Sequence, residues 1–397
     1  DQKRKKKLSP SQYYGQRVMD HSGEYANEED YLFIAEQKCK IVAVKRQIDV
    51  SMKMGKIIRN DDGTKVLKGS DAFNIFKNIP DTPSYWRGFR NEILARIEQF
   101  GPFQMFFTLS CAEAKWDPVI ASVLQKEGHK VTLESSTRTY KIGELSLSEF
   151  LEQNVRSITG LLKKHYVLIT RMFDDKIKSF IKNILMNHRV TYYTYRIEFQ
   201  ARGMPHLHGV FWLNPEDLQP FLCQDGTFDK DKIPSLIDQW ITCSVNTGDE
   251  NLNELVKELN THKHTKSCKK YNTICRFNYP KLPSNETLIA SPLPDDLSDK
   301  EKEETMSKAK SITDKVKSFL VELKYEDCNL TLEELLDKLN IPADDYKSAL
   351  RISQKGEVVV LKRSINERYV NNYNVCFIKA MRANMDIQFV SDIHAVV

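Results

Sequence analysis

The stretch TYRIEFQARGMPHLHGVFWL, Thr194 to Leu213, decides the fold. Apolar and polar residues alternate up to Gln200, which is typical of a half-buried strand, and they alternate again from His206. The Gly-Met-Pro between the two runs indicates a turn. The segment therefore predicts an antiparallel β-hairpin.

The hairpin places four candidate metal ligands on one face. If Gln200 lies opposite His206, then Glu198 lies opposite His208, because side chains of one face recur at every second residue. Two imidazoles with a carboxylate or amide oxygen leave positions open for water or substrate, which suits Mg²⁺ or Mn²⁺ acting on a phosphate. We predict His206 and His208 as ligands, with Glu198 or Gln200 as the third. Two histidines on a half-exposed strand remain the alternative.

Other His-x-His families fit the neighbouring residues poorly. A cupin carries a glutamate shortly after the second histidine, where this chain has Trp212 and Leu213. A histidine-triad hydrolase has a third alternating histidine, and Val210 stands in that place. A two-histidine phosphoesterase has two His-x-Ser/Thr repeats. The pattern thus favours metal-dependent hydrolysis or transfer at phosphorus.

Length and composition indicate a soluble intracellular protein of two or three domains, since the chain has 397 residues and 41% hydrophobic content. No apolar run approaches the roughly 18 residues of a membrane span, and the N-terminus lacks a signal-peptide core. The net charge of +5 gives weak support for a nucleic-acid partner. The basic run Lys3–Lys7 predicts either a nuclear-import or phosphate-contacting tail, or a solvated tail without such a role.

The cysteines suggest a second metal site. Eight cysteines in an intracellular chain argue against a disulfide scaffold. Cys268 and Cys275 follow His264 at spacings typical of a loop, which predicts a structural Zn²⁺. The fourth ligand is left open between His262, Cys243 and a residue elsewhere.

The remaining periodicity predicts an α+β fold, with an antiparallel sheet that carries the hairpin, flanking helices and an N-terminal helical region. The first predicted domain, 1–80, contains the basic tail and a helical DNA-binding region. The second, 81–397, contains the hairpin, the His/Cys loop at 262–283 and a charged helical insertion at about 295–355. Finer expectations are helices over 11–55 and from Ser84 to Gly101, a strand over 103–109, a loop-rich stretch over 112–145, and short strands in GEVVVLKR and DIQFV.

Four motifs in one order resemble the N-terminal replication-initiator portion of Helitron transposases. In chain order they are FFTLSCAEAKW, EFQARGMPHLHGVFWL, HTKSC with CRFNYPKLP, and ERYVNNYNVCFIKAMRANMDIQFV. The similarity runs from about Tyr13 to the end. The resemblance implies that the second predicted domain, 81–397, is HUH nuclease-like, and that it acts as an endonuclease on single-stranded DNA at transposon ends in the nucleus. A divalent metal polarises the scissile phosphate and a tyrosine attacks it, which leaves a 5′-phosphotyrosine and a free 3′-hydroxyl.

The nucleophile has two candidate locations. Tyr369 and Tyr373 form a Tyr-x3-Tyr pair, which on a helix would present both hydroxyls on one face. In the family, however, the catalytic pair follows the segment that corresponds to DIQFVSDIHAVV, which implies tyrosines beyond Val397. No Gly-x4-Gly-Lys-Ser/Thr occurs, so the family's helicase is expected as a fused or separate partner. The alternative function is a non-catalytic module that binds single-stranded DNA through lysines and through aromatic residues such as Trp212.

Overall fold

The structure is a computed structural model. It describes residues 8–54, 57–59, 65–67, 75–187, 189–200, 203–265, 268–270, 274–323, 330–354 and 356–390. The basic run Lys3–Lys7 and the last seven residues, on which two of the sequence predictions depend, lie outside these ranges. The chain forms two compact units, one of Asp1–Pro102 with Ala121–Met172 and one of Phe103–Ile120 with Phe173–Val397.

The helices in chain order are α1 (Pro10–Val18), α2 (Glu24–Asn27), α3 (Glu29–Lys53), α4 (Pro83–Phe100), α5 (Asp117–Lys126), α6 (Leu147–Asn154), α7 (Ile158–Leu162), α8 (Tyr166–Asn183), α9 (Pro215–Leu218), α10 (Ile233–Trp240), α11 (Glu250–Leu259), α12 (Asp299–Glu322), α13 (Leu332–Lys338), α14 (Ala343–Leu350) and α15 (Val375–Met381). The strands are β1 (Ile57–Arg59), β2 (Lys65–Leu67), β3 (Met105–Ser110), β4 (Val131–Glu134), β5 (Thr139–Ile142), β6 (Leu145–Ser146), β7 (Val190–Phe199), β8 (Pro205–Leu213), β9 (Lys269–Lys270), β10 (Ile274–Cys275), β11 (Leu288–Ala290), β12 (Val358–Val360) and β13 (Met385–Phe389).

The second unit is built on a four-stranded antiparallel sheet in the order β13-β3-β8-β7. Burial alternates along β3 and β8, so one face of the sheet is packed and the other is partly open. The packed face includes Phe107, Leu207, Phe211 and Ile387, each with no exposed surface. The histidines of β8 therefore lie on the open face.

Two helices cover the packed face. Phe173, Ile177 and Phe180 lie at helical spacing on α8 and are buried. The Phe180 ring packs 4.9 Å from the ring of Phe377 on α15, and Phe377 lies 6.0 Å from Phe107 of the sheet. Burial of these side chains contributes on the order of 2 kcal/mol each relative to exposure. The two helices thus pack on the buried face of the sheet, opposite the face that carries the histidines.

Gly209 is required by this packing. It lies on β8 between His208 and Val210, and its position faces the ring of Phe107. A Cβ at this position would lie 2.5 Å from Cε1 of Phe107, which is closer than non-bonded carbon atoms approach. Only glycine therefore fits between the sheet backbone and the aromatic core at this point of the hairpin.

A helical layer lies in the region that the sequence predicted as a charged insertion. Helix α12 begins at a capping box in which Ser298 and Glu301 satisfy each other's backbone groups. Its buried residues Val316 and Leu320 pack with α13 and α14 in one hydrophobic cluster, which also contains Tyr346. Strands β11 and β12 pair as a short antiparallel ladder.

The first unit contains α1 to α4, α6 and α7 and the three-stranded antiparallel sheet β4-β5-β6. Helix α6 begins at a capping box formed by Ser146 and Glu149. Nε2 of His165 lies 2.7 Å from Oε1 of Glu127, and this hydrogen bond lowers the pKa of the Glu127 carboxyl. These contacts order the part of the chain between α5 and α8.

The predicted α+β class, with an antiparallel sheet, flanking helices and an N-terminal helical region, is confirmed. The loop-rich assignment of 112–145 is wrong, because this stretch contains α5 and the small β4-β5-β6 sheet. Helix α5 begins at Asp117-Pro118 and buries Val119, Val123 and Leu124. The strands are only two to four residues long, too short for alternation to be recognised. The domain boundary at 80/81 stays a prediction.

Candidate functional site

The open face of the sheet arranges polar side chains in rows across the strands. Ser110, His206 and Glu198 occupy directly paired positions on β3, β8 and β7. The next row contains Asp386, Thr108, His208 and Arg196 on β13, β3, β8 and β7. Strand pairing alone therefore brings both histidines, one carboxylate and one guanidinium onto a single surface.

The register of the hairpin differs from the predicted one by two residues. Glu198 pairs with His206, and Arg196 pairs with His208. Gln200 lies beyond the strand, and its N–H donates to the Met204 carbonyl at 3.0 Å. A shift of two residues keeps every side chain on the same face, so the predicted face is retained while the predicted partners are wrong.

The Glu198 carboxylate lies beside His208, and Glu198 is paired with His206 across the strands. Its Oε2 is 3.5 Å from His208 Nε2, and the two histidine rings are 4.7 Å apart between centroids. The side chains of His208 and Glu198 keep 39% and 48% of their surface exposed, so solvent or a substrate can reach them. Two imidazoles and one carboxylate on one face form a donor set that leaves further coordination positions open to other ligands.

Ser110 is a neighbour of His206 that the sequence reasoning missed. Its Oγ lies 3.1 Å from Nδ1 of His206. When Nδ1–H donates to this oxygen, Nε2 carries the lone pair and can bind a metal. The signal was present in FFTLS, because continued alternation from Phe107 places Ser110 on the same face as Thr108.

Arg196 and Phe106 border the histidines. Arg196 Nε lies 3.7 Å from Glu198 Oε1, and its side chain is 58% exposed. The Phe106 ring lies 6.1 Å from the His208 ring at an interplanar angle of 32°. An arginine and an aromatic ring beside a carboxylate–histidine set can contact the phosphate and the base of a nucleotide.

A second cluster forms in the His/Cys loop. One nitrogen of each of His262 and His264 and the sulfurs of Cys268 and Cys275 all lie within 4.8 Å of one another. His262 Nε2 is 3.3 Å from His264 Nδ1 and 3.4 Å from Cys275 Sγ, and His264 Nδ1 is 3.5 Å from Cys268 Sγ. This cluster could hold a metal ion. The structure therefore brings His262 to the predicted three ligands.

The other suggested fourth ligand, Cys243, lies elsewhere. Its thiol is buried and lies 3.2 Å from the carbonyl oxygen of Lys362, to which it donates. Burial raises the pKa of the Cys243 thiol to about 11. Cys243 is thus a protonated core residue at neutral pH.

The family model described as "Helitron helicase-like domain at N-terminus" matches residues 2–211, slightly more than half of the chain. The chain belongs to this family. No curated protein matches the sequence. The matched segment contains Ser110, Glu198, His206 and His208, whereas the His/Cys cluster follows it. Among the residues that the structure describes, no helix is long and apolar enough to cross a membrane.

The two tyrosines that the Tyr-x3-Tyr spacing offered as nucleophiles, Tyr369 and Tyr373, do not lie on a helix. They lie between the 3₁₀ turn Ile365–Glu367 and α15, in a segment bridged through Val370 to Thr261 and through Tyr373 to Thr242. The premise that a helix presents both hydroxyls on one face is therefore wrong. Because this segment is irregular, the four-residue spacing does not place the side chains of Tyr369 and Tyr373 on one face.

Tyr369 and Tyr373, which follow the segment matched by the family model, lie in different surroundings. Tyr373 has no exposed surface, its hydroxyl donates to the Ser244 carbonyl at 2.6 Å, and burial raises its pKa. The Tyr369 ring packs 5.6 Å from the His264 ring, and its carbonyl accepts from the His262 N–H at 2.7 Å. Tyr373 is thus held as a neutral core residue, and Tyr369 forms a wall of the His/Cys cluster.

Trp212 cannot be the exposed base-stacking residue that the sequence suggested. Only 2% of its surface is exposed, and its ring packs edge-to-face on Phe103 at 5.6 Å. Strand β8 continues beyond the histidines into the core, so its last three residues are all buried. The Phe106 ring lies beside the hairpin histidines, and Phe277, which is 47% exposed, lies beside the His/Cys cluster.

Proposed function

We propose that this chain is the HUH-type nuclease portion of a Helitron transposase, which cleaves and transfers single-stranded DNA with a divalent cation and a tyrosine nucleophile. The observation that carries the proposal is the convergence of Glu198, His206 and His208 on the open sheet face. Membership of the Helitron family supports it independently.

The residues of this face have separate roles in the proposed reaction. Ser110 holds His206 with Nε2 available, and Glu198 contributes the oxygen ligand in place of Gln200. Mg²⁺ or Mn²⁺ bound by them would supply charge neutralisation at the scissile phosphate. Arg196 would bind a non-bridging phosphate oxygen next to the ligands. Phe106 would stack on a neighbouring base.

The covalent step joins a tyrosine oxygen to phosphorus and breaks the bond to the 3′-oxygen. The tyrosine loses its proton, the departing 3′-oxygen gains one, and the 5′-phosphate stays attached to the tyrosine. The burial of Tyr373 argues against its being this nucleophile. We therefore propose a tyrosine outside the described residues, as the family resemblance implies.

We also infer that the His/Cys cluster binds a structural Zn²⁺. Zinc–sulfur bonds of about 2.3 Å and zinc–nitrogen bonds of about 2.0 Å at tetrahedral angles separate two nitrogens by about 3.3 Å and a nitrogen from a sulfur by about 3.5 Å. The observed separations are 3.3 Å for the nitrogen pair and 3.4 and 3.5 Å for the two nitrogen–sulfur pairs. Two sulfurs also favour zinc over magnesium.

A helicase, fused or separate, and a nuclear location belong to the same proposal. The family description names a helicase-like domain, and a rolling-circle transposase acts on DNA strands that must be separated. These two elements rest on the family alone.

The test is cleavage of an end-labelled single-stranded oligonucleotide with added Mn²⁺. We expect cleavage by a chain extended beyond Val397 that carries the family's tyrosine pair, and loss of cleavage when the same extended chain has the double substitution His206→Ala/His208→Ala. The matched control is His21→Ala, which removes an exposed histidine of the first unit. Binding of the oligonucleotide without any cleavage, in a chain extended beyond Val397, would instead support the non-catalytic binding module.

A further inference from the structure

A cavity of about 630 Å³ lies in the second unit, outside the hairpin site. We call it the basic cavity and define it by three cationic side chains, Lys281, Lys317 and Arg363. Its walls come from α12, the end of α14, β12 and the segment that follows Asn278. The volume is in the range that holds a nucleotide-sized ligand.

The charged residues that line the basic cavity are all positive. No aspartate or glutamate occurs among its described lining residues. Lys281 Nζ donates to the Phe277 carbonyl at 3.1 Å, and Lys317 Nζ donates to Asn278 Oδ1. Arg363 donates to the carbonyls of Glu367 and Val370 at 2.6 Å each. The hydrogen bonds described for the three cations therefore all go to uncharged oxygens.

Burial of these cations has an energetic cost that an anion would offset. Burial lowers the pKa of Lys281, with a further lowering from Arg363, and burial also lowers the pKa of Lys317. Asp386 and Asp314 act on Lys281 and Lys317 in the opposite sense without forming ion pairs with them. A buried charge without a paired partner is destabilising, so a bound anion would compensate the three positive charges.

Part of the lining of the basic cavity is apolar. It is formed by Leu350, Ile352 and the strand residues Val358–Val360, and Val358 keeps 49% of its surface exposed. An apolar surface next to a cationic end matches a nucleotide, whose base is flat and apolar on its faces and whose phosphate is anionic. Thr313, Ser353 and Gln354 add hydrogen-bonding groups to the lining.

A second cavity shows that this charge pattern is specific. It has about 590 Å³ and also contains three cations, Lys230, Arg351 and Lys362, but Asp231, Asp238 and Glu286 line it as well. Lys230 also forms an ion pair with Glu357. Its charges are balanced within the protein, so it has no comparable demand for an anion.

We propose that the basic cavity binds one nucleotide of a single-stranded DNA, with a phosphate on Lys281 and Lys317 and the base against the β12 wall. The proposal rests on the proposed function for the identity of the strand. The cavity adds a second contact point on the DNA, at residues that belong to neither the hairpin nor the His/Cys cluster.

The experiment measures binding of a fluorescent single-stranded oligonucleotide to the 397-residue chain over a range of salt concentrations, without added Mg²⁺ or Mn²⁺. We expect Lys281→Gln and Lys317→Gln each to weaken binding by about tenfold, since a hydrogen bond to a charged group is lost. Each should also reduce the slope of log K against log salt by about 0.7. The control Lys308→Gln changes a lysine of the same helix that pairs with Asp345 at 3.3 Å and does not line the cavity, and it should bind as the native chain does.

Binding of free dTMP by the same proteins separates the two sources of phosphate. Loss of dTMP binding in Lys317→Gln with oligonucleotide binding unchanged would overturn the DNA strand as the ligand and assign a free nucleotide. Native binding of both probes by both variants would overturn the basic cavity as a nucleotide site. Because no divalent cation is added, this binding experiment is independent of cleavage. If both variants bind normally while a chain extended beyond Val397 cleaves DNA with Mn²⁺, only the proposal for the basic cavity is refuted.

Discussion

Ser110 on β3 lies directly across from His206 on β8, with its Oγ 3.1 Å from the Nδ1 of the imidazole. When Nδ1 of the neutral imidazole donates its proton to the serine oxygen, Nε2 is the unprotonated nitrogen and can bind a metal. Ser110 is therefore a positioning residue for the proposed metal centre.

Ser110→Ala should reduce affinity for Mn²⁺ by about 10- to 100-fold, the usual cost of losing a hydrogen-bond partner of a metal-binding histidine. In a chain extended beyond Val397, excess Mn²⁺ should restore most of the cleavage activity, because the ligands themselves remain. Titration of activity with Mn²⁺ measures both effects. Ser307→Ala on the exposed surface of α12 is the control, and equal Mn²⁺ dependence of the two variants would argue against the positioning role.

Gly209→Ala should destabilise the protein by about 1 to 3 kcal/mol through overpacking, because the new Cβ meets the buried Phe107 ring. The matched change Gly88→Ala lies in helix α4, where an added Cβ has no neighbour within 4 Å. It should stabilise by roughly 0.5 to 1 kcal/mol. Thermal unfolding of the two variants compares them directly, and the same sign of effect in both would contradict the packing described for β8.

Tyr373→Phe should lower the free energy of unfolding by about 1 kcal/mol, since the Ser244 carbonyl loses its buried donor. In a longer chain that forms a covalent DNA adduct, Tyr369→Phe and Tyr373→Phe should both retain the adduct. Denaturant unfolding and detection of the adduct by gel electrophoresis measure the two effects. If either substitution abolished the adduct while the fold stayed intact, the substituted tyrosine, Tyr369 or Tyr373, would be the nucleophile.

Asp386→Asn should change the pH dependence of stability. Burial raises the pKa of Asp386, against weaker lowering by Gln388 and Lys281. Because the folded pKa lies above the unfolded value, the stabilising contribution is present below the unfolded pKa and is lost as pH rises through the folded pKa. The variant should therefore gain stability relative to the native chain at about pH 8 and lose that gain at about pH 3, below the unfolded carboxyl pKa of about 3.9.

Urea unfolding at both pH values measures the Asp386 effect, with Asp296→Asn as the exposed control. Lys281 is the cation that acts on Asp386, and its own pKa is lowered by burial. A constant difference between Asp386→Asn and the native chain across this range would show that the carboxyl titrates normally.

The sequence was sufficient for the face of the hairpin and insufficient for its register. Alternation has a period of two, so it determines that Glu198 and both histidines share a face, whereas a slip of two residues leaves the alternation unchanged. The pairing of Glu198 with His206 depends on the turn and on β3, which packs on the other side of β8.

The His/Cys cluster was predictable in part for a similar reason. The spacing of His264, Cys268 and Cys275 within one loop suggested a metal site from the sequence. His262 joins them because its N–H donates to the Tyr369 carbonyl, which comes from a segment more than a hundred residues later. Such a long-range contact has no signature in local spacing.

Zinc in the cluster should be stoichiometric and stabilising. Elemental analysis of the purified chain should find one zinc per molecule, and its removal by a chelator should lower the melting temperature because binding and folding of the loop are coupled. Cys268→Ser should lose the zinc, while Cys223→Ser, at an exposed cysteine outside the cluster, should keep it. Absence of zinc from native protein that is nevertheless fully folded would contradict the assignment.

The central claim is that Glu198, His206 and His208 bind one divalent cation. The most direct test is to titrate zinc-loaded protein with Mn²⁺ and to measure the free Mn²⁺ by electron paramagnetic resonance. The account predicts one Mn²⁺ bound per native chain, weakened binding in Glu198→Gln, and no binding at this site in His206→Ala/His208→Ala. Mn²⁺ binding of unchanged stoichiometry and affinity in the double variant would contradict it.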